Sequence, residues 1–354
     1  MARLSKPLVI PIFIPHQGCP HKCAFCDQSI ITSKRAALPD KNTICRQVET
    51  WLAYRGDRSS VELAFFGGNF LGLAPRKTET LLEIAQNLIR EEKIQSIRCS
   101  TRPDTIHEKS LDLAKRFSLD TVEIGVQSMD DQVLAKARRG HTARDTAMAA
   151  KLLDRDRIKK GMQMMVGLPG DTDAKAIETA RKIADLNPAF VRIYPLMVLK
   201  NSLVHRWYTR GEYTPMALDH CVELVASIHA LFTRDNIPVI RMGLQASDLL
   251  QDREIMVAGP WHPAFGHLVL SRLMLDRATK MLDQMLGQPP DLKKNPQATK
   301  KTRVTLRVHP STQSRLRGDR NNNLAVLTTR YPWVEIKIES DPSVAVDQLG
   351  GLAM

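Results

Sequence analysis

Strand-length apolar runs alternate with helical patterns through the first two thirds of the chain, and no other feature constrains the fold as strongly. The runs are LVIPIFI (8–14), VELAFF (61–66), SIRCS (96–100), TVEIGV (121–126), GMQMMVG (161–167) and FVRIYPL (190–196). Helical periodicity follows over 42–54, 77–91 and 108–117, and again between the later runs. Six strand-and-helix units in alternation predict an α/β chain with a parallel sheet and crossover helices, either doubly wound or curled into a barrel. In both arrangements a site forms at the carboxyl ends of the strands. The unusual residues fall there. Three cysteines follow the first run, Gly67, Gly68 and Asn69 the second, STRPD (100–104) the third, QSM (127–129) the fourth and LPGDT (168–172) the fifth.

The loop GCPHKCAFCDQ (18–28) gathers Cys19, Cys23 and Cys26 inside eight residues, while Cys45, Cys99 and Cys221 stand apart. Three thiolates hold three irons of a cubane [4Fe-4S] cluster and leave the fourth iron open, whereas structural clusters take four cysteines. An open coordination position marks a working metal site. The alternative is zinc, with His16 or His21 as fourth ligand. Zinc sites commonly pair two ligand doublets across a longer loop, and the chain supplies no second doublet.

The CxxxCxxC spacing, with Phe25 just before the last cysteine, resembles the signature of the radical S-adenosylmethionine (SAM) superfamily. The resemblance implies a partial parallel (β/α)6 barrel in which SAM chelates the open iron. An electron from the cluster then cleaves SAM to a 5'-deoxyadenosyl radical that removes a substrate hydrogen. FFGGNF (65–70) occupies the place of the family's Gly-Gly-acid motif for the SAM amino group, so that role falls on Gly67, Gly68 and, in place of the acid, Asn69. VEIGVQSMDDQVLAKARRGHT (122–142) resembles the matching stretch of elongator catalytic subunits and of oxygen-independent coproporphyrinogen oxidases. It implies that Gln127 contacts the SAM ribose and Arg139 its carboxylate, which a guanidinium engages bidentately. STRPD narrows the resemblance towards the elongator group and implies that Ser100 and Arg102 face the ribose or the substrate. MMVGLPGDT (164–172) matches both groups, and Gln163 stands where the oxidases place an aspartate that touches SAM. The stretch 187–215 resembles the elongator core and makes Tyr194, Lys200 and His205 candidates for the substrate pocket. Outside that context, a Gly-Gly pair is a tight turn, Arg139 a solvated helix charge, and Met162, Met164 and Met165 core packing.

Beyond the sixth run come a helical stretch (216–232), a further candidate strand IPVIRMG (237–243) and a long amphipathic pattern (265–286). GPWHPAFGHLV (259–269) is read as closing the barrel, with His262 and His267 structural. The Pro- and Lys-rich stretch 287–301 is expected to be a linker between a core of residues 1–286 and a small module of residues 302–354. The formal charge is +13, and residues 293–330 hold ten basic side chains against one acid, Asp319. Such a segment suits a polyanion, or else a solvated surface. Strand RVTLRV (303–308), basic loop RLRGDRNNN (315–323), helix LAVLTTRY and strand WVEIKIE (333–339) resemble part of a KH-type RNA-binding module, with only Gly318 of the GxxG loop present. Arg317 and Arg320 are its candidate substrate contacts.

No run of about 20 apolar residues predicts a membrane span. Few cysteines and an N-terminus without signal-peptide features point to a reducing cytoplasm. Elongator catalytic subunits carry an acetyltransferase domain, and their radical core is proposed to act on the wobble uridine of tRNA. Only 68 residues follow residue 286, short of the roughly 100 or more such a domain takes, so acetyl transfer is not expected of this chain. The expectation is a radical SAM enzyme with a [4Fe-4S] cluster and SAM, acting on RNA such as tRNA and reduced by a donor such as flavodoxin or ferredoxin. The alternatives are the same chemistry on a small molecule such as a tetrapyrrole, or a non-enzymatic, metal-stabilised RNA-binding protein.

Overall fold

Strand β1 (Leu8–Ile14) shows how the chain divides its faces: Leu8, Ile10, Ile12 and Ile14 are buried, while Val9, Pro11 and Phe13 turn to the other side. The alternation is the two-residue period of a strand. Pro11 lacks an N–H, yet among the described residues β1 pairs with β2 alone, so Pro11 sits on a sheet edge where no second ladder is lost. The computed structural model describes residues 7–14, 17–26, 37–58, 60–244, 255–286 and 301–353.

After β1 come α1 (Lys41–Leu52), β2 (Val61–Gly67), α2 (Pro75–Arg90), β3 (Ser96–Thr101), α3 (Glu108–Lys115) and β4 (Leu119–Gln127). Helices α4 (Asp131–Lys136) and α5 (Ala143–Arg155) lead to β5 (Lys159–Val166), and α6 (Asp173–Asp185) to β6 (Phe190–Pro195). The remainder of this part is β7 (Val198–Leu199), α7 (Leu203–Thr209), α8 (Leu218–Arg234), β8 (Val239–Met242) and β9 (Met256–Ala258). Helix starts follow local chemistry. Asp40 accepts from the Thr43 N–H at 2.8 Å, Pro75 opens α2, and Thr142 with Asp145 forms a reciprocal capping box at α5.

All six expected strands form, and 237–243 supplies the seventh. The sheet order is β1-β2-β3-β4-β5-β6-β8, every neighbouring pair parallel. Curling into a half-barrel brings Arg192 of β6 to 5.5 Å from the Phe66 ring centroid of β2, across three intervening strands. The outer face packs apolar residues such as Leu63, Ile97, Val122 and Ile193 under the helices, each burial worth roughly 1.5–3 kcal/mol. The stretch 259–269 adds no strand. Pro260 and Pro263 interrupt it, and a helix begins at Phe265. The short β9 before it pairs antiparallel with β7 instead.

A second compact unit comprises Val222–Ala230 and His262–Met354. It contains α9 (Phe265–Leu286), β10 (Thr302–Val308), α10 (Gln313–Arg317), α11 (Asn322–Arg330), β11 (Val334–Ser340) and β12 (Leu349–Ala353). Strand β10 is central, parallel to β11 and antiparallel to β12. Met274, Ala278 and Leu282 of α9 complete a core with Val304, Leu306, Val308, Leu316, Leu327 and Val334. Asn323 donates to the Ser271 carbonyl at 2.9 Å, and the Tyr331 hydroxyl meets Asp283 at 2.6 Å. The long helix therefore belongs by its contacts with the module, which begins before residue 302. The expected linker falls on residues of which 287–300 lie outside those described.

Candidate active site

One cavity of about 610 Å3 lies within the curl. The cysteine loop lines it with Cys19, Cys23, Phe25 and Cys26. Main-chain bonds from three other segments grip this loop: Asn69 N–H to the Gln17 carbonyl (3.2 Å), Ala24 N–H to the Ala137 carbonyl (2.9 Å) and Val204 N–H to the Ala24 carbonyl (2.9 Å). Phe25 packs against the apolar cluster of Ala24, Val133, Ala137 and Leu196 beneath. A loop held at one end by the residues after β2 and at the other by the end of α4 and the first turn of α7 presents its thiols in a fixed place.

Gly67 and Gly68 line the cavity, whereas Asn69 is not on its wall. Asn69 is fully buried. Its side-chain N–H donates to the Gly18 carbonyl at 2.6 Å, and its oxygen accepts from Thr101 Oγ1 (2.6 Å), Thr105 Oγ1 (2.8 Å) and the Arg102 N–H (3.0 Å). With both ends of the amide committed, Asn69 is a brace between the cysteine loop and the loop after β3. The Asn that replaces the usual acid can donate as well as accept, and the Gly18 carbonyl needs a donor.

The end of β4 is irregular, and the irregularity aims side chains. The ladder to β5 shifts register between Gly125 and Gln127, and Gln127 is left-handed with φ +66°. Such backbone is costly for a non-glycine residue and persists where the surroundings demand it. A Cβ on Gly125 would fall 3.1 Å from Gln127 Nε2 and 3.2 Å from Arg139 Nη2, so its absence makes room for both. Arg139, buried in the cavity wall, donates to Cys23 Sγ at 3.2 Å and to the Gly125 carbonyl at 2.5 Å. Arg102 is held by Asp104 through two bonds of 2.9 Å and donates to the Arg139 carbonyl. Burial and then the neighbouring Cys23 push the Cys19 thiol up, while Arg102 and Arg139 pull it down. The two guanidiniums thus favour the Cys19 thiolate in a place that otherwise disfavours it.

Ser100 Oγ, Arg102 Nη1, Gln127 Oε1 and Arg139 Nε are buried without a protein partner, and all four residues line the cavity. Buried polar atoms are normally paired. Four orphaned polar atoms beside three thiols fit a metal cluster accompanied by a polar ligand. Among the described residues no three His, Cys, Asp or Glu side chains converge as they would around a single metal ion. His21 lines the cavity with its ring against Gly140, where a Cβ would sit 2.2 Å from it. The other zinc candidate, His16, lies outside the described residues.

Gln163 and Tyr194 also line the cavity, and Gln163 donates to Glu123 at 2.7 Å. Lys200 and His205 are not on its wall. Lys200 continues the short β7, its N–H bonded to the Ile255 carbonyl, and His205 Nδ1 accepts from the Asn201 N–H beside the Ser202 cap of α7. Arg317 and Arg320 belong to the second unit.

The sequence reading missed a charged layer on the inner face. Glu123, wholly buried, accepts from Arg98 (3.1 Å), Arg192 (3.0 Å) and Gln163, and Arg98 also pairs with Glu62. Arg241 of β8 lines the same cavity. A signal was present: Glu62, Arg98, Glu123, Gln163 and Arg192 each interrupt an apolar strand at alternate positions, which places them on one face.

A parallel half-barrel whose first strand ends in a fixed three-thiol loop, with orphaned polar side chains on the same cavity, defines an enzyme built around a metal cluster and a polar cofactor. Residues 13–183 match the radical SAM superfamily, and residues 188–274 match the radical SAM C-terminal domain. The chain belongs to the radical SAM superfamily, whose members use a [4Fe-4S] cluster and SAM. It is 31% identical over 263 residues to the tRNA uridine(34) acetyltransferase of Methanocaldococcus jannaschii, covering 63% of this chain and 48% of that one. An uncharacterized protein of the same organism is 27% identical over 292 residues, covering 78% of this chain and 87% of its own length. The chain thus spans about half the length of the acetyltransferase it matches. Its fold is similar to that of the archaeal Methanocaldococcus infernus Elp3 with an N-terminal deletion, with TM-score 0.60 and 19% identity over 82% of this chain and 70% of that one.

Proposed function

We propose that the enzyme modifies RNA, with tRNA as substrate, and that Cys19, Cys23 and Cys26 hold its [4Fe-4S] cluster. The observation that carries the reading is the meeting of these thiols with Ser100, Arg102, Gln127 and Arg139 on one cavity. Bound there, cluster and SAM would supply a 5'-deoxyadenosyl radical able to remove a substrate hydrogen. The chain's own part is to place and shield. Arg139 bonds Cys23 and has an unpaired Nε with which it would engage a carboxylate, and Gln127 would offer a hydrogen-bonding oxygen.

The RNA assignment is supported by the tRNA-acting relatives and by the second unit, whose β10-α10-α11-β11 order follows the KH-like pattern. In its loop Gly318, Arg320 and Asn321 are all left-handed, with φ +75°, +48° and +63°. Asn321 thus adopts, at the place of the second glycine of a GxxG loop, a conformation that Asn tolerates. A small electron-transfer protein such as flavodoxin or ferredoxin would supply the electron. Mass spectrometry of tRNA nucleosides from a deletion strain tests the reading. A nucleoside that changes mass and returns on complementation supports it; unchanged tRNA with altered porphyrins transfers the chemistry to a small molecule.

A further inference from the structure

The cavity wall away from the cysteine loop carries a charge that nothing described so far uses. Gln163, Arg192 and Arg241 stand side by side in register across β5, β6 and β8. Arg98 and Arg192 are neutralised where they stand, by Glu62 and Glu123. Arg241 is half-buried, its Nε reaches the Gly243 carbonyl at 3.3 Å, and no carboxylate among the described residues pairs with it. Two acids face three arginines, so the surplus positive charge rests on Arg241. A guanidinium withdrawn from water recovers that loss when an anion enters.

The same cavity is lined by aromatic rings. Trp51 is 37% exposed and Phe13 43% exposed, and both line it. They approach from the β1 edge of the sheet, while Arg241 stands on the β8 edge. Large aromatic rings turned into a cavity with a cation at its other edge suit a planar ring that bears an anionic group.

We propose that Trp51 and Arg241 form a nucleotide subsite for the substrate, the base stacking on the indole and a phosphate held by the guanidinium. The inference rests on the RNA reading for its substrate class. A base with a phosphate is common to a nucleotide within an RNA strand and to a free nucleoside monophosphate, and the test separates them.

Cluster-reconstituted protein in the presence of SAM is titrated anaerobically by calorimetry with uridine, uridine 5'-monophosphate and an anticodon stem-loop RNA. Wild type is expected to bind the monophosphate roughly tenfold or more tighter than uridine, as for one charge-assisted contact. Arg241→Gln should erase that preference and Arg241→Lys keep part of it. Trp51→Leu should weaken uridine and its monophosphate alike and leave their ratio unchanged. If only the stem-loop binds and Arg241→Gln weakens it tenfold, the subsite stands and takes its nucleotide from RNA. If Arg241→Gln, with wild-type iron content, binds stem-loop and monophosphate within twofold of wild type, the subsite is overturned while the RNA reading survives. Unaltered tRNA in the deletion strain together with Arg241-dependent monophosphate binding overturns the RNA reading and leaves the subsite.

Discussion

Two side chains, Asn69 and His141, carry consequences out of proportion to their size. Asn69 joins the Gly18 carbonyl to Thr101, Thr105 and the Arg102 N–H from a fully buried position. Asn69→Ala would leave those groups unpaired and is expected to cost about 3–5 kcal/mol, read as a lower urea midpoint, with iron lost faster from reconstituted protein. His141 is buried against the Val126 carbonyl at 3.2 Å. Burial first, then the charges of Arg139 and Arg102, depress its pKa from 6.5 to about 3. The folded state therefore binds fewer protons than the unfolded chain between those values, and stability present at neutral pH is lost as pH falls through that window. Urea unfolding at pH 7 and pH 4.5 should show His141→Gln losing about 2 kcal/mol less than wild type on acidification. An equal loss would show that His141 does not drive the acid sensitivity.

At the scale of elements, the inner face of the sheet is held by charge. Glu123 anchors Arg98 and Arg192 from β4, so Glu123→Ala strands two guanidiniums and is expected to destabilise by about 3–5 kcal/mol, whereas Glu62→Gln, at a less buried pair, should cost about 1 kcal/mol. Thermal melts of the two variants check the ranking. The strands themselves were legible because apolar runs and crossover helices alternate, and the site loops were legible because a parallel sheet gathers its strand ends. The layer of Glu62, Arg98, Glu123 and Arg192 left a fainter signal, single charges inside apolar runs, which reads as interruption until the pairing of the strands shows that they meet. The surroundings of Asn69 were not legible for a related reason. Its motif position was plain in the sequence, but which way its amide turned depended on a carbonyl 51 residues away.

The whole molecule divides its work differently from its charge pattern. Of the basic residues in 293–330, Arg303, Arg307, Arg315 and Arg330 pair with Glu335, Asp341, Asp347 and Asp283. Linear counting missed those acids because they lie outside the segment. Arg317 and Arg320 make no ion pair among the described residues, which makes them the better probes of RNA contact. Stopping the chain after residue 286 would strip the module core from Met274, Ala278 and Leu282. That truncation is expected to aggregate in size-exclusion chromatography. Arg317→Gln with Arg320→Gln should leave stability within about 0.5 kcal/mol while weakening tRNA binding and flattening its salt dependence. The boundary before residue 302 was not legible because an amphipathic helix shows its apolar stripe without naming the partner that covers it.

The central claim is that the cavity bearing Cys19, Cys23 and Cys26 works as a radical SAM centre. Anaerobic reconstitution, followed by reduction with dithionite in the presence of SAM and quantification of 5'-deoxyadenosine, tests it most directly. About four irons and four sulfides per chain, with 5'-deoxyadenosine released by wild type and not by Cys23→Ala, is the predicted result. An intact cluster that leaves SAM uncleaved, or stoichiometric zinc without iron, would contradict it.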